Sequence, residues 1–164
     1  MRLAAKWSSA TLVACILAVP ALALAQSAPT PYGAPVTTEM AKKAASAALA
    51  EAKKNGWNVA VSVVEPGGVL AYFEKSENTQ YGSVEVSLEK ARTSAAFRRP
   101  SKAFEDVVLG GKVNYTKLPG AVPLEGGLPL VVDGKVVGAI GVSGATSAQD
   151  GQCAKAGVDA LVAK

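Results

Sequence analysis

Histidine is absent from all 164 residues. Without an imidazole, the Ser-His-Asp and Cys-His nucleophile arrangements, the usual zinc sites and histidine ligation of a metal-bearing cofactor are all excluded. Cysteine is almost as scarce, with only Cys15 and Cys153. Cys15 lies in an apolar leader, so a processed chain would keep one thiol and could form no internal disulfide. Cys153 reads as a small buried hydrophobe on a helix, the alternative being a reactive thiol or an intermolecular bridge. Charge is also modest. Taking Arg2 and Lys6 from the 17 basic residues leaves 15 against 13 acidic, a net of +2. No long basic tract occurs, so a nucleic-acid partner is not expected. Aromatic residues make up only 5% of the chain, which puts the weight of any core on valine, leucine and alanine.

Long hydrophobic runs are limited to one, Ala10–Leu24. It is shorter than the roughly 20 residues of a membrane-spanning helix, and Pro20 interrupts it. Arg2 and Lys6 precede it, and Ala23-Leu24-Ala25 fits the small-x-small cleavage pattern. The expectation is a signal peptide over residues 1–25, cleaved after Ala25, a periplasmic or secreted destination, and no integral membrane segment after processing. Leu12-Val13-Ala14-Cys15 has the form of a lipoprotein cleavage box, but the full apolar run follows Cys15 rather than preceding it. Residues 26–36 carry Pro29, Pro31 and Pro35 and read as a flexible leader, with Tyr32 either solvated or docked on a neighbouring surface.

What is present is organised around the stretch 125–144. Leu128–Val132 and Lys135–Ser143 read as strands folded back through Asp133-Gly134, a pair that suits the two positive φ angles of a type I′ turn. Gly138 and Gly141 interrupt the second strand. Glycine there implies that a ligand, a helix or another chain comes close to the backbone, or that the sheet is tightly packed with bulges. Upstream, Thr37-Thr38 caps a helix that Asn55-Gly56 ends, with alanines along its inner face. Trp57–Val64 and Val69–Lys75 form a hairpin around Glu65-Pro66-Gly67-Gly68. Ser83–Phe97 is helical, with Val84, Leu88, Ala91 and Ala95 on one face and Glu85, Glu89 and Lys90 on others. Ser101 is expected to cap a short helix to Leu109, 112–122 reads as a loop with the expectation that it lines a site, and Ala148–Val162 is the last helix. Helices alternating with hairpins argue for α+β, an antiparallel sheet covered by helices.

The chemistry in the chain is sparse. Gly138–Gly144 has neither the G-x-G-x-x-G spacing nor the lysine-serine end of a phosphate loop, and Ser143 is not in a nucleophile elbow. Arg92, Arg98, Arg99 and Lys102 cluster at a helix end and suit an anionic ligand, or else pair with Glu89, Glu105 and Asp106. Glu65, Glu125 and Asp150 adjoin glycine-rich turns and could converge as an acid–base or metal group.

Several segments in fixed order add a resemblance. These are Val63-Val64-Glu65-Pro66-Gly67-Gly68, Lys90-Ala91-Arg92-Thr93, Pro100-Ser101, Glu125-Gly126-Gly127-Leu128-Pro129, Asp133-Gly134, Gly138–Gly144 and Gln149-Asp150. From about Thr37 to Val162 the chain resembles the GlcG/HbpS-like haem-binding (haem-degrading) family. The resemblance implies one domain over 37–164 with a profilin-like fold, a central antiparallel sheet of about five strands flanked by helices. It also implies a homo-oligomer and haem or another tetrapyrrole as partner and cofactor. Glu65 stands where members often have Asp, and the histidine ligand of some relatives is missing.

By similarity to the K-A-x-T segment, Thr93 becomes the residue nearest the metal. The alternative is a helix threonine bonded to its own turn. Arg92 and Arg99 are expected to receive the propionates. Tyr115, with Tyr72 and Tyr81, is an alternative ligand or stacking group. Gly126, Gly127 and Gly141 are the close-approach backbone beside the ligand. The functional expectation is an exported small-molecule-binding protein with no assigned catalytic residue. The alternatives are an enzyme acting on haem or a small organic acid through Glu/Asp chemistry, and a non-catalytic accessory or assembly protein.

Overall fold

The computed structural model describes residues 29–162, so the expected signal peptide lies outside the described residues. Among those described, no helix is long and apolar enough to cross a membrane. Elements α1 (Thr38–Lys54), β1 (Ala60–Val64), β2 (Leu70–Lys75), α2 (Gly82–Phe97), α3 (Lys102–Leu109), β3 (Gly127–Val132), β4 (Lys135–Ser143) and α4 (Ser147–Val162) follow in that order, with a 3₁₀ turn at Val113–Lys117. The sheet is antiparallel and has four strands in the order β2-β1-β4-β3, one fewer than expected. The α+β class and the flanking helices are as the sequence implied.

Local chemistry accounts for the elements. Thr37 Oγ1 accepts the Met40 N–H at 3.2 Å, and Asn55 closes α1. In the final hairpin Asp133 has φ 48° and Gly134 φ 72°, the two positive angles a tight turn between right-twisted strands requires. Ser101 does not cap α3. Its backbone is already helical, and its hydroxyl instead donates to the Leu124 carbonyl and accepts the Gly127 N–H at 2.9 Å. The serine is thus a tie to the glycine pair that opens β3.

The sheet has two unlike faces. On one, Val61, Val63, Leu130, Ile140 and Val142 pack against the buried alanines of α1 and against Cys153 and Ala154 of α4. Each buried valine, leucine or isoleucine there contributes about 1.5–3 kcal/mol over its exposed form. On the other face α2 lies on Val64 and Ala139 through Ala91 and Ala95. That interface is extensive but made by small and polar residues. The buried residues of α2 are Ser83, Ser87, Lys90, Ala91, Thr93, Ser94 and Ala95, and Ser87 Oγ lies 2.8 Å from Ser62 Oγ of β1. Of the expected apolar face, Ala91 and Ala95 are buried, Leu88 packs against them half buried and Val84 is half buried, while Lys90, set on a different face, is inside.

Residues 30–36, expected to be a flexible leader, are bonded along β4 beyond the end of β1. Val136 N–H donates to the Pro31 carbonyl at 2.8 Å, Gly33 N–H to Val136 at 2.9 Å and Val36 N–H to Val137 at 2.7 Å. Tyr32 docks through its hydroxyl while much of its ring stays exposed. Its hydroxyl lies within hydrogen-bond reach of the Ala95 and Ala96 carbonyls, and the Arg98 guanidinium stacks 5.0 Å from its ring.

Candidate functional site

An open cleft of about 580 Å³ lies where the first hairpin turn meets α2. Pro66 to Leu70 form one wall, Glu89, Arg92 and Ala96 of α2 the other, and Gly120 of the long loop closes one end. Helical spacing puts 89, 92 and 96 on one stripe, the side of α2 that the sheet does not cover. Val69 and Leu70 are exposed at 61% and 46%, so the hairpin side offers apolar surface that the domain itself does not bury.

Arg92 supplies the cationic feature. Its Nε–H donates to the Gly68 carbonyl at 3.2 Å, and Nη1 meets Glu89 Oε1 at 2.7 Å. Glu89 and Arg92 therefore form an ion pair inside the cleft with both side chains partly solvated.

Thr93 is the next residue of the helix but faces inward and is fully buried. Its hydroxyl donates to the Glu89 carbonyl at 2.8 Å and accepts the Val122 N–H at 2.9 Å, with the Gly120 carbonyl 3.4 Å away. It thus bonds to its own turn and also anchors the loop that ends the cleft.

The remaining expected residues are dispersed. Arg99 is exposed, with its guanidinium 5.7 Å from the Phe104 ring centroid. Tyr115 borders a separate depression of about 290 Å³ with Leu118 and Pro119 on the same long loop. Tyr72 bonds Glu74 at 2.8 Å on the outer strand, and Tyr81 is 91% exposed. The Glu125 side chain lies against Gly151, beside Asp150, but Glu65 does not join them, and no group of three or more acidic or thiol side chains suited to a metal occurs among the described residues.

The close approach signalled by the glycines is made by the protein's own helix. A Cβ on Gly141 would collide with the Ser87 carbonyl and the Ala91 nitrogen, and one on Gly127 with the Lys90 carbonyl. At Gly126 a Cβ would stand 2.6 Å from the Val142 carbonyl oxygen and 2.9 Å from Lys90 Nζ. These positions let α2 sit on bare backbone, with no space left for a ligand there.

Sequence reasoning missed the buried pair beneath that contact. Lys90 Nζ also donates to the Val142 carbonyl at 3.1 Å, and Asp150 Oδ1 accepts the Ala145 N–H at 3.0 Å. Burial holds the Asp150 carboxyl above its ordinary value, while the hydrogen bond and charge of Lys90 act against that rise. Burial likewise pushes the Cys153 thiol up to about 11, with smaller contributions from Asp150 and Glu51. Such a thiol is neither nucleophile nor metal ligand at neutral pH.

Fold and cleft together define a helix-covered antiparallel-sheet domain with a small-molecule-sized groove beside one arginine. The chain belongs to the family described as "Haem degrading protein HbpS-like", whose sequence profile matches residues 36–159. It is 41% identical to Protein GlcG of Escherichia coli (strain K12) over 108 residues, 66% of this chain and 81% of that protein. A crystal structure of HbpS superposes with a TM-score of 0.73 at 32% identity, covering 79% of this chain and 92% of that one. A crystal structure described as a PduOC–heme complex gives 0.69 at 25% identity, covering 77% and 94%.

Proposed function

We propose that this is an exported protein that binds haem or a related tetrapyrrole in the cleft between the first hairpin turn and α2, as part of a homo-oligomer. The observation that carries the reading is the pairing, in one open groove, of exposed apolar Val69 and Leu70 with the Arg92 guanidinium. A flat, largely apolar molecule with carboxylates at its edge needs that combination of surfaces. The family description and the heme complex of a structural relative support the same ligand class. The apolar surface left at Val69 and Leu70 supports a second copy of the chain completing the site. The leader pattern ending at Ala25 supports export.

The residues present fit such a group at its periphery. Arg92 would hold a carboxylate, and the hairpin side and Ala96 would lie against the ring. Thr93 remains the proposed residue nearest the metal, and it reaches a bound molecule only when the 119–122 loop releases its hold on the hydroxyl. A haem, when bound, supplies a redox-active iron. The chain's own part is to seat the edge, shield one face and fix the loop.

Titration with hemin tests this. A saturable shift of the Soret band that weakens in Arg92→Ala and changes character in Thr93→Val supports the reading, and absence of a saturable shift removes haem from it. Native mass measurement gives the oligomeric state. Amino-terminal sequencing of periplasmic protein checks for a chain beginning at Gln26.

A further inference from the structure

We infer that Glu89 is a built-in competitor for the anionic ligand of the cleft, so that the site admits a carboxylate only by displacing its own. This rests on the binding reading above and names what regulates that site. Arg92 is held on two sides, by the Gly68 carbonyl at 3.2 Å and by Glu89 at 2.7 Å. Of the five N–H donors of a guanidinium, those two contacts use two, and the other three have no partner among the described residues. The Gly68 bond positions the group in the groove. The Glu89 bond neutralises it there.

The geometry makes Glu89 the removable element. The pair sits three residues apart on one helix, and its side chains are 43% and 31% exposed, so water can solvate Glu89 once it lets go. An exposed pair of this kind is weak enough to be exchanged. Both residues line the cleft, which therefore presents little net charge until a ligand carboxylate replaces Glu89. The arrangement favours ligands that bring a carboxylate together with apolar surface for Val69 and Leu70. It disfavours simple small anions, whose binding would not offset the lost ion pair.

Two measurements on the chain beginning at Gln26 test the inference separately from the ligand. In the first, phenylglyoxal modification of Arg92 is followed by peptide mass spectrometry in wild type and Glu89→Gln. Faster modification of Arg92 in Glu89→Gln, with Arg99 unchanged as internal control, supports the mask, whereas equal rates overturn it. In the second, hemin and hemin dimethyl ester are titrated against wild type, Glu89→Gln, Arg92→Gln and the double variant. The expected result is about two- to fivefold tighter hemin binding in Glu89→Gln, the scale of an exposed ion pair. Loss of about tenfold is expected in Arg92→Gln. The double variant should match Arg92→Gln, and the ester should be indifferent to all three. Weaker hemin binding in Glu89→Gln would make Glu89 a ligand contact and overturn the inference. If no variant binds hemin while the labelling difference is present, the tetrapyrrole reading falls and the mask stands.

Discussion

Lys90 Nζ lies 2.8 Å from Asp150 Oδ2, and the two side chains are only 2% and 3% exposed. The contact joins α2 to the first turn of α4 across β4, and it is the one ion pair among the described residues with both partners out of water. A buried pair of this kind is worth little against an apolar pair of equal volume, but breaking it leaves a charge stranded.

Lys90→Met is therefore expected to destabilise the fold by about 3–5 kcal/mol, with the double variant Lys90→Met/Asp150→Leu recovering much of that loss. Urea unfolding midpoints check both. A double variant no more stable than the single one would mean that the Asp150 bond to the Ala145 amide, which the double variant also removes, outweighs the relief of the stranded charge.

Acidity should soften the single variant. The Asp150 carboxyl is raised above 3.8 in the folded chain, so the folded form takes a proton more readily than the unfolded one. The cost of its charged form is present above the folded value and fades as pH falls toward the unfolded one. Removing Lys90 raises the folded value further, since it removes the influences that lower it. The stability gap between wild type and Lys90→Met is thus expected to narrow from pH 7 toward pH 4, as read by urea midpoints at each pH.

Gly141→Ala should cost about 1–3 kcal/mol or more, because its methyl meets α2 backbone rather than a movable side chain. Gly134→Ala is the control. Nothing lies within 4 Å of its Cβ position, so only the backbone angle opposes it, at about 1 kcal/mol. Thermal unfolding of the two variants checks the order.

Cys153 should be silent to thiol reagents in the native state. With its thiol near 11, the thiolate fraction at about pH 8 is on the order of one in a thousand, against about a quarter for an ordinary cysteine. Labelling of the peptide containing Cys153 should be negligible over minutes in buffer and complete in denaturant.

Much of the fold was legible because its signals are local. Thr37, Asn55 and Asp133-Gly134 mark their boundaries through hydrogen bonds and dihedral angles set within a few residues. The face of α2 was legible only in part: Leu88, Ala91 and Ala95 meet the sheet as read, but Ser83, Ser87 and Ser94 give no hydrophobic period and their burial depends on glycines across the sheet. Lys90 was misplaced for the same reason, since its partner is 60 residues away and a lone lysine on a helix ordinarily faces solvent. Four strands stand where five were expected because residues 30–36 reach β4 by only one isolated parallel bridge, at Tyr32. At the site, Arg92 was legible as a cleft candidate and Glu89 as its alternative partner, and the structure shows the pair formed inside the cleft. Arg99 and Tyr115 share the same stretch of sequence as the cleft yet face away from it, a separation that only the path of the chain reveals.

The bare backbone at Gly127 and Gly141 fixes α2 against the sheet. A helix cushioned on large side chains can roll or slide by swapping rotamers, but α2 rests main chain to main chain and has no such freedom. The helix side of the cleft is thus a fixed wall, and what latitude the groove has lies in its rim, where the Thr93 hydroxyl accepts the Val122 amide and faces the Gly120 carbonyl.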